Sequence, residues 1–375
     1  MSRTATAERS SLADLIAGRR VIVTLGAGGV GKTTTSAALA LALAMDGQRV
    51  AVVTIDPARR LASALGLERL SGQPVHIDDA PLRAAGLAVP GELWAMMLDV
   101  KATFDDIVAR HTNEERRSEI LANPVYRELS TAVAGSHELS AVAKLYELHE
   151  EHDFDTIVLD TPPSRNALDF LEAPGRLLAF LDGRALQVFL APGGLTARLF
   201  GRGTALVFSI FARVTGVDML AELSTFFRSL GGVIDGFGER TRSVQALLRS
   251  EQTGYVIVTS PEPEPAQEAR YLASRLAELG LSEPALLVNR VHLLGTQGHD
   301  STELQELLER SLEGDLARRL AHNLADFDAL ARRDAKTVEL LSSELGLGRP
   351  TLVRHLPDEV QDLLGLAAVA EQLGV

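Results

Sequence analysis

The segment Gly26-Ala27-Gly28-Gly29-Val30-Gly31-Lys32-Thr33 constrains this chain more than any other. It satisfies G-x-x-x-x-G-K-[ST] and stands between a β-rich apolar run, Val21–Leu25, and a stretch of helix formers at 33–45. Strand, glycine-rich turn and helix in that order form a cradle for phosphate. The glycines let the backbone turn tightly and aim its N–H groups inward, and the helix adds the positive end of its dipole. The residues expected around the phosphates are Gly26, Gly28, Gly29, Val30, Gly31, Lys32, Thr33 and Thr34. Lys32 is expected to neutralise the outer phosphates of a nucleoside triphosphate, and the Thr33 hydroxyl to ligate Mg²⁺.

The run RVAVVTI at 49–55 reads as the next strand, which completes a βαβ unit and implies a parallel sheet. Further strands are expected at 92–99, 156–159, 255–259 and 285–289, with one more possible at 351–355. Helical stretches are expected from about 100, over 113–150 and at 266–279. The expected fold is an α/β P-loop domain, a mainly parallel sheet flanked by helices, covering 19–375 and interrupted by a helical insertion at about 165–250. Residues 1–18 are expected to form a flexible arm or a short helix.

Two carboxylates join the loop. Asp160 ends the apolar strand Ile157-Val158-Leu159, where a carboxylate completes a Mg²⁺ shell in P-loop proteins. Asp56, in Thr54-Ile55-Asp56-Pro57-Ala58, lies at the carboxyl end of a strand, the end of an open α/β sheet at which ligands bind. It is expected to orient or deprotonate an attacking water, although Pro57 also suits it to capping a helix.

Composition removes other chemistries. With no cysteine, disulfides, thiol nucleophiles, iron–sulfur clusters and thiolate zinc sites are excluded. A formal net charge of −13 argues against nonspecific nucleic-acid binding, so no nucleic-acid partner is expected. The leading segment MSRTATAERSSLADLIAG has no apolar core of a secretory leader, and no uncharged apolar run approaches the ~18 residues of a membrane span. The expected location is cytoplasmic.

The loop GAGGVGKTT resembles the deviant phosphate loop of the MinD/ParA-like class. Three more segments narrow the resemblance. TIDPARRL resembles the first switch of the ArsA-type arsenite-pump and tail-anchored-protein-targeting ATPases, LWAMMLDVKATFDDIV the segment that follows it, and VLDTPPSRNALDFLEAPGRL the second switch. The resemblance implies an ATPase using ATP and Mg²⁺, with Lys32 and Thr33 at phosphate and metal, Asp160 supporting the metal, Asp56 positioning water and Asn289 beside the adenine. It also implies a face-to-face homo- or heterodimer coupled to a hydrophobic client or membrane-protein partner. Two departures stand out. Ala27 replaces the lysine that reaches across the dimer, and Asn166 replaces a histidine, preceded by Arg165 where a glycine is expected. The family's arsenite-binding and zinc-binding cysteines are absent.

Three functions therefore stay open: an ArsA-like ATPase, a low-turnover nucleotide-binding regulatory subunit, and, ranked last, a MinD/ParA-like positioning protein. The insertion carries many apolar residues, among them Leu178, Phe180, Leu181, Phe189, Phe200, Phe208, Phe211 and Phe226. These suit either a mobile binding surface or the insertion's own core.

Overall fold

The computed structural model describes residues 11–56, 60–123, 126, 136–183, 231–293 and 301–375. The chain divides into two compact units, one made of Met1–Met97, Phe154–Ala167 and Arg249–Val375, the other of Leu98–Asp153 and Leu168–Leu248.

The first unit is built on a single eight-stranded sheet. Its strands are β1 (Val21–Leu25), β2 (Arg49–Thr54), β3 (Val75–His76), β4 (Glu92–Met97), β5 (Thr156–Asp160), β6 (Thr253–Thr259), β7 (Ala285–Val291) and β8 (Thr351–Arg354). Their order is β3-β4-β2-β5-β1-β6-β7-β8. Only the two-residue β3 pairs antiparallel, with β4; the other pairings are parallel. Buried on both faces, β1, β5 and β6 are covered along their whole length, which is why they read as unbroken apolar runs. Because β1 lies between β5 and β6, the chain leaves its carboxyl end at a switch point, where an open α/β sheet forms its crevice.

Helices α1 (Leu12–Ile16), α2 (Lys32–Met45), α3 (Arg60–Ala64) and α4 (Ala80–Ala84) come early in this unit. Helix α2 is buried nearly all round, with every residue from Thr35 to Ala44 inside. Such a helix must be covered on the side away from the sheet. The cover is the final helix of the chain, Leu363–Leu373, whose Leu366, Ala367 and Ala370 share one core with Leu39, Leu41 and Leu43. Of the arm or short helix expected at 1–18, the described residues 11–18 contain the short helix. Ser11 caps α1 in a reciprocal box with Asp14, and Leu12 and Ile16 are 2% and 4% exposed in that same core.

The described elements of the second unit are helices. It contains α5 (Val100–His111), α6 (Glu114–Ala122), α7 (Ser136–Glu151) and most of α8 (Ser164–Leu181) and α9 (Gly231–Arg249). The helical stretch expected over 113–150 is thus two described helices, with Asn113 capping the first. Phe104, Val108, Ile120 and Tyr126 form one small core, and Ile107, Ala143 and Phe237 another. A buried Lys144–Glu147 pair at 3.0 Å extends through Arg110 to Glu151. Most of the apolar residues singled out in the insertion, including Phe189, Phe200, Phe208, Phe211 and Phe226, lie outside the described residues. Phe180, on α8, is 51% exposed. No described helix is long and apolar enough to cross a membrane.

Completing the first unit are α10 (Pro263–Glu278), α11 (Ser301–Glu309), α12 (Gly314–Leu345) and α13 (Leu363–Leu373). The 32-residue α12 is tied to β7 by a buried carboxylate. Asp334 Oδ2 accepts from the His292 backbone N–H at 3.0 Å and lies 2.8 Å from His292 Nδ1, while Oδ1 accepts from the Arg333 guanidinium at 2.9 Å. Burial pushes the Asp334 carboxyl upward, but these hydrogen bonds and the Arg333 charge together hold it below its ordinary value. Its stabilisation is therefore complete above the ordinary carboxylate range and is lost as pH falls through the depressed value. Asp334→Ala strands the His292 N–H and should destabilise the fold by about 2–4 kcal/mol, read as a lower urea midpoint at pH 7. A midpoint equal to wild type would show that α12 is held by packing alone.

Candidate functional site

The phosphate loop joins the carboxyl end of β1 to α2, and two of its glycines are required by the space around them. A Cβ on Gly26 would overlap the Val258 carbonyl of β6. Gly31 has φ +92°, and a Cβ there would strike the Asn289 side chain. Gly31 is also the N-cap of α2 and supplies no side-chain cap, and the first turn carries no acidic residue. The N–H groups opening α2 thus have no side-chain cap, an arrangement suited to an anion.

Lys32, 7% exposed, folds over the loop and donates to the carbonyls of Gly26 at 2.9 Å and Ala27 at 2.8 Å. Burial lowers its pKa; the Asp160 and Asp56 carboxylates oppose that shift and the Arg60 charge adds to it.

Asp160 ends β5 with no exposed surface. Its Oδ2 accepts from Thr33 Oγ1 at 2.8 Å and from Thr54 Oγ1 at 2.9 Å. Its Oδ1 is buried and has no hydrogen-bond partner. Burial raises the carboxyl to about 6 and Asp56 adds to this, against the lowering by Thr33, Thr54 and Lys32. A buried carboxylate with an orphaned oxygen beside a threonine hydroxyl is a hard oxygen donor set, and it fits Mg²⁺.

Gly29, Gly31, Lys32, Thr33, Thr34, Asp56 and Asn289 line one cleft of about 1080 Å³. Asp160 lies beneath it, behind Thr33. Of the other loop residues named from the motif, Val30 is buried and Gly28 is exposed. The Val30 side chain is 1% exposed in the core, and Gly28 faces Pro163. Asp56, just past β2, is close enough to shift both Lys32 and Asp160 electrostatically.

Asn289 is bound into the loop. Its Nδ2 donates to the Val30 carbonyl at 2.8 Å and its Oδ1 accepts from the Arg290 N–H at 2.9 Å. Arg290 has φ +61°, and the β7–β8 register shifts between Val288 and Val291. Such a backbone belongs with a site that needs a side chain re-aimed.

Sequence reasoning missed a set of supporting hydroxyls. Thr24 Oγ1 pairs with Ser36 Oγ at 2.8 Å, Ser36 donates to the Lys32 carbonyl, and Thr161 donates to the Thr24 carbonyl at 2.6 Å. These bonds lock β1, β5 and the first turn of α2 together under the loop. The available signal was a threonine near the carboxyl end of each apolar strand, in VIVTL and RVAVVT. Among the described residues no group of three His, Cys, Asp or Glu is placed to hold a metal ion. Of the residues at which the chain departs from the resembling family, Ala27 lends its carbonyl to Lys32 and Asn166 is exposed at the start of α8.

Comparison with known proteins agrees with this geometry. Residues 19–311 match the family model of the anion-transporting ATPases. The chain is 26% identical over 267 residues to ATPase GET3 of Malassezia globosa, covering 71% of each protein. It is 27% identical over 269 residues to ATPase ARSA2 of Chlamydomonas reinhardtii, covering 71% of this chain and 66% of that one. It is 26% identical over 278 residues to the putative arsenical pump-driving ATPase 1 of Aquifex aeolicus, covering 72% of this chain and 63% of that one. Helices α12 and α13 and strand β8 lie beyond the matched family segment. With the loop, Asp56, Asp160 and most of the sheet inside that segment, the chain belongs to the anion-transporting ATPase family and is an ATPase.

Proposed function

We propose that this chain hydrolyses ATP to ADP and phosphate with Mg²⁺, and that hydrolysis drives a conformational change in a dimer serving a hydrophobic client or a membrane-protein partner. The observation that carries this reading is the set Lys32, Thr33 and Asp160, a cation and two oxygen donors at the floor of one cleft with Asp56 in its wall. The loop N–H groups and Lys32 would bind the phosphates. Thr33 and Asp160 would hold Mg²⁺, which offsets the charge of the β and γ phosphates. Asp56 would take a proton from the attacking water as its oxygen bonds to the γ-phosphorus and the bond to the ADP oxygen breaks. Asn289 would lie beside the adenine, its bond to the Val30 carbonyl linking the base to the loop.

The dimer and the client are supported by relatives named GET3 and arsenical pump-driving ATPase. Without cysteine, a thiolate arsenite site is not available to this chain. We read 19–375 as one P-loop domain with a helical insertion at about 165–250, and the location as cytoplasmic. A second reading, a regulatory subunit with slow turnover, is favoured by Ala27, which leaves a homodimer without the cross-subunit lysine that the resembling family uses.

Steady-state phosphate release by the pure chain, with sizing in the presence and absence of ATP and Mg²⁺, separates the two. The ATPase reading expects multiple turnovers, loss of turnover on chelation of Mg²⁺, and a dimer-sized species with ATP. Binding with less than one turnover, relieved by a lysine-bearing relative, would establish the regulatory reading. Failure to bind ATP at all would sink both.

A further inference from the structure

In a chain of net charge −13, the cleft is lined by four cations, Lys32, Arg60, Arg290 and Arg354, against three carboxylates, Asp56, Asp358 and Glu359. Lys32 is accounted for by the loop. Arg60 is not. It is exposed and opens the described part of α3. Among the described residues it makes no hydrogen bond or ion pair. Other arginines of the same unit, Arg49, Arg83 and Arg270, each meet a carboxylate. Two like charges facing one cleft repel each other until an anion stands between them.

We propose that Arg60 is a second phosphate-binding cation, contacting the terminal phosphate of the triphosphate from within the chain that supplies Lys32. The inference rests on the ATP reading above and adds a residue to it. Its position in the chain suits the role. Arg60 follows Asp56 by four residues, so the cation and the proposed water-positioning carboxylate lie on one short segment. A guanidinium presents a planar fork of donors that fits two phosphate oxygens at once, which a lysine ammonium does not. A cation on the terminal phosphate distinguishes triphosphate from diphosphate and stabilises charge as the γ-phosphoryl group transfers. The position of Ala27 then matters less, because a positive group reaches the phosphate without a partner chain.

The test compares wild type with Arg60→Ala and Arg60→Lys by calorimetric binding of ATP and of ADP and by steady-state phosphate release. Arg60→Ala should lower kcat about 10- to 100-fold and weaken ATP about 10-fold, with ADP affinity within about threefold of wild type. Arg60→Lys should recover part of kcat, and thermal melting should be unchanged in both. Wild-type kcat and an unaltered ATP-to-ADP affinity ratio in Arg60→Ala would overturn the proposal. Equal losses for ATP and ADP would overturn it too, since the contact would not then be at the terminal phosphate. The two readings fail separately. If Lys32→Ala abolishes ATP binding while Arg60→Ala changes nothing, only the Arg60 proposal falls. If the wild-type protein binds no ATP, both fall.

Discussion

Lys32→Ala is expected to weaken ATP binding by about 10²- to 10³-fold, measured by titration with a labelled ATP analogue. Two losses add. The ammonium is the innermost fixed cation of the cleft, and a charge-assisted contact to phosphate is worth roughly 1.5–3 kcal/mol. The same ammonium donates to the carbonyls of Gly26 and Ala27, so the loop also loses the bonds that hold its curl. Because Lys32 is 7% exposed, the truncated variant must be shown to melt near the wild-type temperature before its affinity is interpreted. Lys32→Arg is the complementary variant. It keeps the charge, but the guanidinium must fit where a slender ammonium now reaches two carbonyls, so partial binding at best is expected. Wild-type affinity in Lys32→Ala would remove the phosphate-loop assignment.

The parts of this molecule legible in the sequence are those fixed by local chemistry. The strand 21–25 and the loop after it were visible because a strand buried on both faces is continuously apolar and because only glycine fits at positions 26 and 31. Asp160 and Asp56 were visible because a carboxylate just past an apolar strand stands out. The parts that stayed hidden depend on long-range contact. Thr54 and Thr33 converge on Asp160 from 106 and 127 residues away, and a threonine in a strand carries no mark of a partner that distant. The family resemblance puts Asn289 beside the adenine, and nothing local in the sequence marks its amide's bond to the Val30 carbonyl 259 residues earlier. The two-residue β3 has no periodicity to detect. The polar composition of 1–18 leaves an arm and a short helix both open, whereas burial of Leu12 and Ile16 decides the matter for 11–18 in the fold.

Asp56→Asn is expected to leave binding of ATP and Mg²⁺ intact and to lower turnover by about 10²- to 10⁴-fold, the usual loss when a positioned general base is removed. The substitution is nearly isosteric, so the shape of the cleft wall is kept while the basic oxygen is lost. Electrostatics make the outcome specific. Asp56 is one of the two carboxylates that favour the charged form of Lys32, and its charge raises Asp160. Neutralising it removes a repulsion toward the incoming phosphates and eases ionisation of Asp160, the proposed metal ligand. Affinity should therefore hold or rise slightly while chemistry fails, a combination that damage to the fold does not produce. Single-turnover phosphate release, with binding measured on the same preparation, reads both quantities. A helix cap offers a plain alternative, because asparagine caps as well as aspartate and would leave the rate near wild type. Parallel loss of affinity and turnover would point instead to a direct role in holding nucleotide or metal. Only retained affinity with a turnover at least about 100-fold lower assigns the water to Asp56.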